Sequence, residues 1–189
     1  MKTKLLMLSM VMSCVFAGNA LALTQAEYKA QKDQISADYK ASRDKCSALK
    51  ANAKDVCIAE AKGAEKVAKA ELEVSYKPTT KHTRDVITAK GDAAYDIAKE
   101  KCDDLSGNAK DVCVKDAKAA HVKAKEDAKI AKAATDGGAN RTEKVSDAKK
   151  EASKETREAN YKAAKERCDS LSGAAKDTCQ NDAKAKFGM

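Results

Sequence analysis

The apolar positions of this chain are sparse, and their spacing follows the period of an α-helix. Between residues 23 and 50 the larger apolar side chains recur at intervals of three, four and seven residues: Tyr28, Ile35, Tyr39, Cys46 and Leu49. Alanines pad this stripe, and charged residues occupy most other positions. Thr24 with Glu27 three residues later is the capping-box signal of a helix start. The first helix is therefore predicted over residues 25–48.

The same pattern continues along the chain and is interrupted by a few turn signals. The clearest are Lys77-Pro78-Thr79-Thr80 and Asp136-Gly137-Gly138. Six helices are predicted, over residues 25–48, 53–76, 81–105, 109–135, 141–171 and 175–186. The first half of the fifth helix has few apolar residues other than Val145 and alanines. The stretch around 136–155 is expected to be the most mobile. A lone charged helix that projects from the rest is one form that it could take.

A unit bounded by two cysteines eleven residues apart occurs three times. The copies are CSALKANAKDVC from Cys46 to Cys57, CDDLSGNAKDVC from Cys102 to Cys113, and CDSLSGAAKDTC from Cys168 to Cys179. Each copy has a tyrosine seven residues before its first cysteine and a leucine three residues after it: Tyr39, Tyr95, Tyr161, Leu49, Leu105 and Leu171. Such repetition indicates internal duplication with connecting segments of different length.

Geometry makes each unit the tip of a helical hairpin. In one continuous helix, residues eleven apart would be separated by about 16.5 Å, whereas a disulfide needs Cα atoms within about 7 Å. If the cysteines of a unit bond to each other, the chain must reverse between them. Gly107 and Gly173 are predicted to stop the preceding helices, and Asn52 and Asn108 to cap the following ones. The repeat tyrosines and leucines are predicted to pack around each cystine clasp.

Composition limits the size of the hydrophobic core. Hydrophobic residues make up 43% of the chain, but alanine dominates them, and aromatic residues are only 4%. Charged residues are 35%. Such a chain forms helices readily and buries little large apolar surface. The disulfides are therefore expected to decide whether it folds.

The first 22 residues have the pattern of a secretory signal. Lys2 and Lys4 precede an apolar stretch, which ends at a small-residue cleavage site near Ala22. A second interpretation is a lipoprotein signal that ends at Cys14. No later stretch is apolar enough to span a bilayer. The mature chain would begin near Leu23 with six cysteines, as expected of three disulfides in the periplasm.

No stretch of the chain supplies an evident chemistry. A redox site would favour a Cys-x-x-Cys motif, and none is present. The two histidines, His82 and His121, have no cysteine at zinc-ligand spacing and are expected to face solvent. There is no Gly-rich phosphate loop and no plausible nucleophile–base pair. We therefore predict no catalytic, cofactor-binding or metal-binding residue and no enzymatic activity.

The charge pattern bears on possible partners. The formal net charge is +8 and falls to about +6 without Lys2 and Lys4. Lysines alternate with acidic residues at three- and four-residue spacings, which is typical of a solvated helix surface. The small positive excess favours an anionic envelope polymer or an envelope protein. Few aromatics stand among the basic residues, which argues against nucleic acid, and no broad apolar face favours a membrane surface.

Parts of the chain resemble known protein families. The stretches AKAAHVKAKEDAKIAKAATD and AKKEASKETREANYKAAKER resemble in composition the helical segment of TolA, an envelope protein, and the late-embryogenesis-abundant stress proteins. The whole cysteine unit resembles uncharacterised exported proteins of Gram-negative bacteria, which carry labels such as TolA-like or cell envelope biogenesis protein. That resemblance implies an envelope location and imports no known activity.

The predicted fold class is all-α, with long Ala-rich helices in three clasped hairpins. These form either an up-and-down bundle or an elongated array. The predicted domains are a signal peptide at 1–22, a four-helix-bundle-like pair of hairpins at 23–135, and a third hairpin with a longer charged first helix at 136–189. The leading hypothesis is a non-enzymatic periplasmic structural or interaction protein. The alternatives are a hydrophilic stress-protection or anion-binding protein and a thiol redox protein.

Overall fold

The computed structural model describes residues 23–136 and 138–189, which are almost entirely helical. Six α-helices follow one another: α1 Gln25–Cys46, α2 Ala51–Tyr76, α3 Thr80–Cys102, α4 Gly107–Asp136, α5 Arg141–Arg167 and α6 Gly173–Phe187. Single 3-10 turns, Gly138–Asn140 and Cys168–Ser170, flank α5. The all-α prediction is confirmed, and each helix overlaps its predicted range. The predicted signal peptide, with Cys14, lies outside the described residues.

Local signals begin the first helix as predicted. The Thr24 hydroxyl accepts a hydrogen bond from the backbone N–H of Glu27 at 3.2 Å, and the Glu27 carboxylate accepts one from the N–H of Thr24 at 2.8 Å. This capping box satisfies backbone donors that a helix start leaves free. The bond from the Thr24 backbone also holds the pKa of Glu27 below its ordinary value, because it stabilises the charged carboxylate.

Each helix packs against the helices before and after it in the chain. The pairs are antiparallel, since Glu60 lies opposite Lys101 while Glu71, farther along α2, lies opposite Lys90, earlier in α3. Within the two described stretches, extensive contacts join only consecutive helices. The described helices therefore form an all-α array in which each helix packs mainly on its neighbours in the chain. The bundle-like unit at 23–135 and the separate third hairpin stay predictions.

The antiparallel order gives the array two distinct ends. Short turns join the helices, so all three cysteine units lie at the same end, which we call the clasp end. The α2–α3 turn and the α4–α5 turn lie at the opposite end. None of the helices described here is long and apolar enough to cross a membrane.

Small side chains set the distance between neighbouring helices. A Cβ atom at Gly63 would lie 3.0 Å from the Cβ of Ala93, and one at Gly91 would lie 2.5 Å from the Cβ of Ala124. Among the described residues, the buried apolar side chains are alanines and cysteines, with Leu72 as the one larger aliphatic. Close approach of backbones thus replaces the interlocking of large side chains. The core is as thin as the composition indicates.

The fifth helix does not project from the array. It packs along α4, with Ala152 buried and Val145 and Ala148 half-buried in its first half. The expectation of a lone charged helix around 136–155 is wrong. Alanines suffice for this contact because Ile130 of α4 lies in the same groove and supplies the larger apolar side chain.

The turn at each clasp differs in detail from the prediction. The backbone N–H of the repeat leucine donates to the carbonyl of the first cysteine, three residues back, at 3.0–3.1 Å in every unit. Two residues after the leucine the backbone is left-handed, with φ of 48° at Ala51, 56° at Gly107 and 55° at Gly173. These residues open the next helix, so the prediction that Gly107 and Gly173 stop the previous one is wrong. The left-handed residue is needed to reverse the chain direction within so short a turn.

Asn52 has a different role from the predicted helix cap. No side-chain hydrogen bond caps α2. Instead the Asn52 side-chain amide donates to the backbone carbonyl of Glu100 in α3 at 2.8 Å. It thereby satisfies a carbonyl in the last turn of α3 and ties the first hairpin to the second.

Ala51→Gly should raise the free energy of unfolding by about 0.5–1 kcal/mol. A Cβ atom in the left-handed region costs about 1–2 kcal/mol, which exceeds the extra chain entropy that glycine loses on folding. Gly107→Ala, at the equivalent position, should lower stability by about 1 kcal/mol. Urea unfolding of the oxidised protein, followed by circular dichroism, measures both. Ala53→Gly, in the first turn of α2, is the control and should destabilise the protein. Strain at Ala51 would be contradicted if Ala51→Gly did not stabilise the protein, or if Ala53→Gly stabilised it as well.

Candidate functional site

One cystine joins the two helices of each hairpin. Cα–Cα distances are 5.6 Å for Cys46–Cys57, 5.6 Å for Cys102–Cys113 and 5.7 Å for Cys168–Cys179. The cysteines thus pair within each unit, as the hairpin prediction requires. The first cysteine of every pair has no exposed surface. The second cysteine of each pair is half-buried, so only one sulfur of each cystine is fully shielded from an attacking thiolate.

The repeat leucines lie in the turns at the clasp end. Leu49, Leu105 and Leu171 are 42, 43 and 42% exposed. Their packing around each clasp stays a prediction. The cystines already fill the space between the helices at this level, since Cys46, Cys102 and Cys168 are the largest fully buried side chains of the described residues.

The repeat tyrosines are half-buried in all three units. Tyr95 of α3 stacks on His121 of α4, with ring centroids 4.6 Å apart and planes 11° from parallel. This tyrosine therefore packs across its hairpin, from α3 to α4. In the first hairpin the aromatic pair is Tyr28 of α1 with Tyr76 of α2, at 4.4 Å and far from the clasp. The hydrogen bond from the Tyr28 hydroxyl to Glu73 raises the pKa of Tyr28.

A polar cluster ties together the three helices α2, α3 and α4. The Asp92 carboxylate of α3 accepts from Nζ of Lys66 in α2 at 2.6 Å, and its other oxygen lies 2.7 Å from Nε2 of His121 in α4. His121 is held between Asp92 and the Tyr95 ring, so the prediction that it faces solvent is wrong. His82 also has a partner, since its Nδ1 lies 2.8 Å from the carbonyl oxygen of Lys77.

Two opposed effects act on the pKa of Asp92. Partial burial raises it, but the hydrogen bonds from Lys66 and His121 favour the charged form and outweigh burial. The pKa therefore lies below the ordinary value of 3.8. Both carboxylate oxygens already have partners, so the cluster links helices and offers no free base to a substrate.

Glu126 of α4 is buried with only one of its oxygens paired. Glu126 is 5% exposed, and its Oε1 lies 2.8 Å from Nζ of Lys129. The other oxygen, Oε2, has no hydrogen-bond partner among the described residues; Glu126 lines the groove between α4 and α5. The bond to Glu126 raises the pKa of the Lys129 ammonium. A buried carboxylate oxygen without a donor costs free energy, so this group weakens the α4–α5 contact.

The two junctions between successive hairpins repeat one ion pair. Lys101, just before the first cysteine of the second unit, pairs at 3.0 Å with Glu60, three residues after the second cysteine of the first unit. Arg167 and Asp116 occupy the same two positions one unit later and pair at 2.5 Å. The third hairpin therefore packs on the second in the register in which the second packs on the first.

Small residues repeat in the same register. Gly63, six residues after the second cysteine of its unit, faces Ala93, nine residues before the first cysteine of the next. Their equivalents at the second junction, Ala119 and Ala159, line one groove between α4 and α5. Farther from the clasps the junctions diverge, because Val122 stands where the first junction has Lys66. The ion pair and the small-residue pair together are called the junction contact below.

Other kinds of site find no support in residues 23–136 and 138–189. These residues contain no group of three or more His, Cys, Asp or Glu side chains that could hold a metal ion. The grooves between helices are open and lined by charged residues, alanines and a few larger apolar side chains, as where Asp116, Arg167 and Phe187 meet between α4, α5 and α6. Ligand pockets are usually enclosed and mainly apolar. The recurring feature of the molecule is the helix face that meets another helix.

Comparison with family models, curated proteins and solved structures gives no match for this chain.

Asp92→Asn should destabilise the protein by about 1–2 kcal/mol at pH 7, because it removes charge-assisted hydrogen bonds. The folded-state pKa of Asp92 lies below its unfolded value, near 3.8. The carboxylate therefore adds stability above that value and loses it as the pH falls through the lower folded pKa. Urea unfolding from neutral pH down to about pH 2.5 should find the difference between wild type and variant shrinking below about pH 4. Asp96→Asn, exposed on the same helix, is the control; a pH-independent difference for Asp92→Asn would contradict the expectation.

Glu126→Met should raise the free energy of unfolding by about 1 kcal/mol, because it replaces a half-satisfied buried carboxylate with an apolar chain of similar length. Lys129→Met removes the cation and keeps the carboxylate, so it should destabilise by about 1–2 kcal/mol. Thermal unfolding of both variants measures the contrast. A destabilised Glu126→Met protein would mean that the carboxylate has a partner that stabilises the folded state.

Proposed function

We propose that this chain is an exported, non-enzymatic helical protein of the cell envelope, whose helix faces are contact surfaces for other envelope components. The observation that carries the proposal is the repeated junction contact. Hairpins that stack in a constant register form an extended surface, and such arrays typically serve protein contacts. The described surface offers broad charged faces in place of an enclosed substrate pocket.

The cystines support the exported location. Disulfides persist in oxidising compartments such as the periplasm and are rare in the reducing cytosol. The pattern of residues 1–22 supports the same location, with cleavage near Ala22. The mature protein would then be periplasmic and begin near Leu23.

The charge distribution supports contact with proteins or anionic polymers of the envelope. Many lysines already pair with acidic groups of neighbouring helices, as in Lys90–Glu71 at 2.8 Å and Lys115–Glu166 at 3.6 Å. The remaining positive excess is small and spread over exposed faces. Such a surface favours partners of mixed or moderately negative charge, held by exposed and salt-sensitive pairs.

Reduction of the mature protein with dithiothreitol should remove most of its helicity, because each clasp contributes about 3 kcal/mol to a thin core. Circular dichroism at constant temperature measures the loss. A paired Cys168→Ser/Cys179→Ser variant should lose helicity mainly in α6, which packs chiefly on α5. A chain that is disordered while still oxidised would favour the stress-protection hypothesis instead.

The contact role is tested by immobilising the oxidised mature protein and exposing it to envelope extract. Retention of envelope components should require the oxidised fold, and elution by salt should separate anionic polymers from protein partners. Reduced protein is the matched control. If nothing is retained and any clasp exchanges rapidly with a periplasmic oxidoreductase, the thiol redox hypothesis replaces the proposal.

A further inference from the structure

The two outermost helices carry the unfilled halves of the junction contact. On α1, Lys45 stands just before the first cysteine of its unit, as Lys101 and Arg167 do at the internal junctions, and it is exposed. On α6, Asp182 stands three residues after the second cysteine, as Glu60 and Asp116 do, and it is exposed as well.

The small residues of the junction contact recur at the same two surfaces. Ala37 of α1 stands nine residues before its cysteine, and Ala185 of α6 stands six residues after its own; both are exposed. Lys115 and Glu166, which add an ion pair to the second junction, have Asn181 and Asp44 as counterparts. An amide and a carboxylate can hydrogen-bond to each other.

We propose that these surfaces bind each other between molecules, so that the partner is a second copy of this chain. Helix α6 of one copy would pack on α1 of the next in the register of the internal junctions. That register sets Asp182 against Lys45 and Ala185 against Ala37. The two surfaces differ, so the contact is heterologous and continues from copy to copy as an open head-to-tail series.

A second copy fits because charge, side-chain size and register agree at once. The molecule already uses this combination twice, between α2 and α3 and between α4 and α5. An intermolecular contact of the same kind would extend an interface that is present within the chain. This inference rests on the proposed structural role, whose contact partner it identifies.

The contact should be weak and reversible. Helix α6 has 15 residues, against 26 in α2 and 30 in α4. It can therefore reproduce only the half of the junction near the clasps, which is the half that the two internal junctions share. Small interfaces of this kind are typical of transient association, and exposed ion pairs weaken as salt is raised.

Sedimentation velocity of the oxidised mature protein tests the proposal, from about 20 μM to about 1 mM. The average mass of wild type should rise with concentration and pass that of a dimer. Lys45→Glu and Asp182→Lys each bring like charges together, so each should weaken association about tenfold. The double variant restores opposite charges with their positions exchanged and should associate like wild type. Lys29→Glu has the same charge change on α1 far from the clasp and should also associate like wild type.

Mixing the two single variants tests the pairing of Asp182 with Lys45. Each variant keeps one surface that complements the other variant, so an equimolar mixture should associate more strongly than either variant alone. The inference is overturned if wild type stays monomeric, if the double variant fails to recover, or if Lys29→Glu loses association equally. A monomeric protein that still retains envelope components would overturn this inference alone and leave the proposed function in place.

Discussion

The contact between alanine-lined helix faces is the interaction on which this fold depends. A methyl group buries little area, so each residue of such a face contributes little free energy. The faces compensate by bringing backbones close together, as where Gly63 meets Ala93. The clasps add to this by restricting the unfolded chain. Narrow alanine stripes suit an array in which each helix packs mainly on its neighbours in the chain.

Much of the architecture could be predicted because its signals are local. Cysteine spacing required a reversal of the chain, and the period of the sparse apolar residues placed all six helices. The turns were less predictable, since a glycine beyond a helix usually ends it, whereas Gly107 opens the next helix. The alanine at the equivalent position, Ala51, is the sequence feature that indicates a different role for these glycines. An alanine in place of the two glycines shows that the position is defined by backbone direction and not by a helix stop.

The polar contacts divide into those with a sequence signal and those without one. Asp92 and Glu126 are two of 29 acidic residues and His121 is one of two histidines; only the packing of α4 between α3 and α5 gives these three their partners. The junction contact did have a signal. Aligning the three units puts a basic residue before every first cysteine and an acidic residue three after every second one. The sequence alone does not show that the basic and acidic residues pair with each other, because the pairing depends on how the fold packs one unit against the next.

The order of the cystines along the chain has a consequence for folding. Each bond joins a cysteine to the next one in sequence. A loop of about ten residues closes within roughly 10–100 ns, far faster than a disulfide forms. In a chain that enters an oxidising compartment N-terminus first, each thiol would meet its native partner before the next unit emerges. Oxidation in order of arrival would then give the native pairing without a stage of disulfide reshuffling.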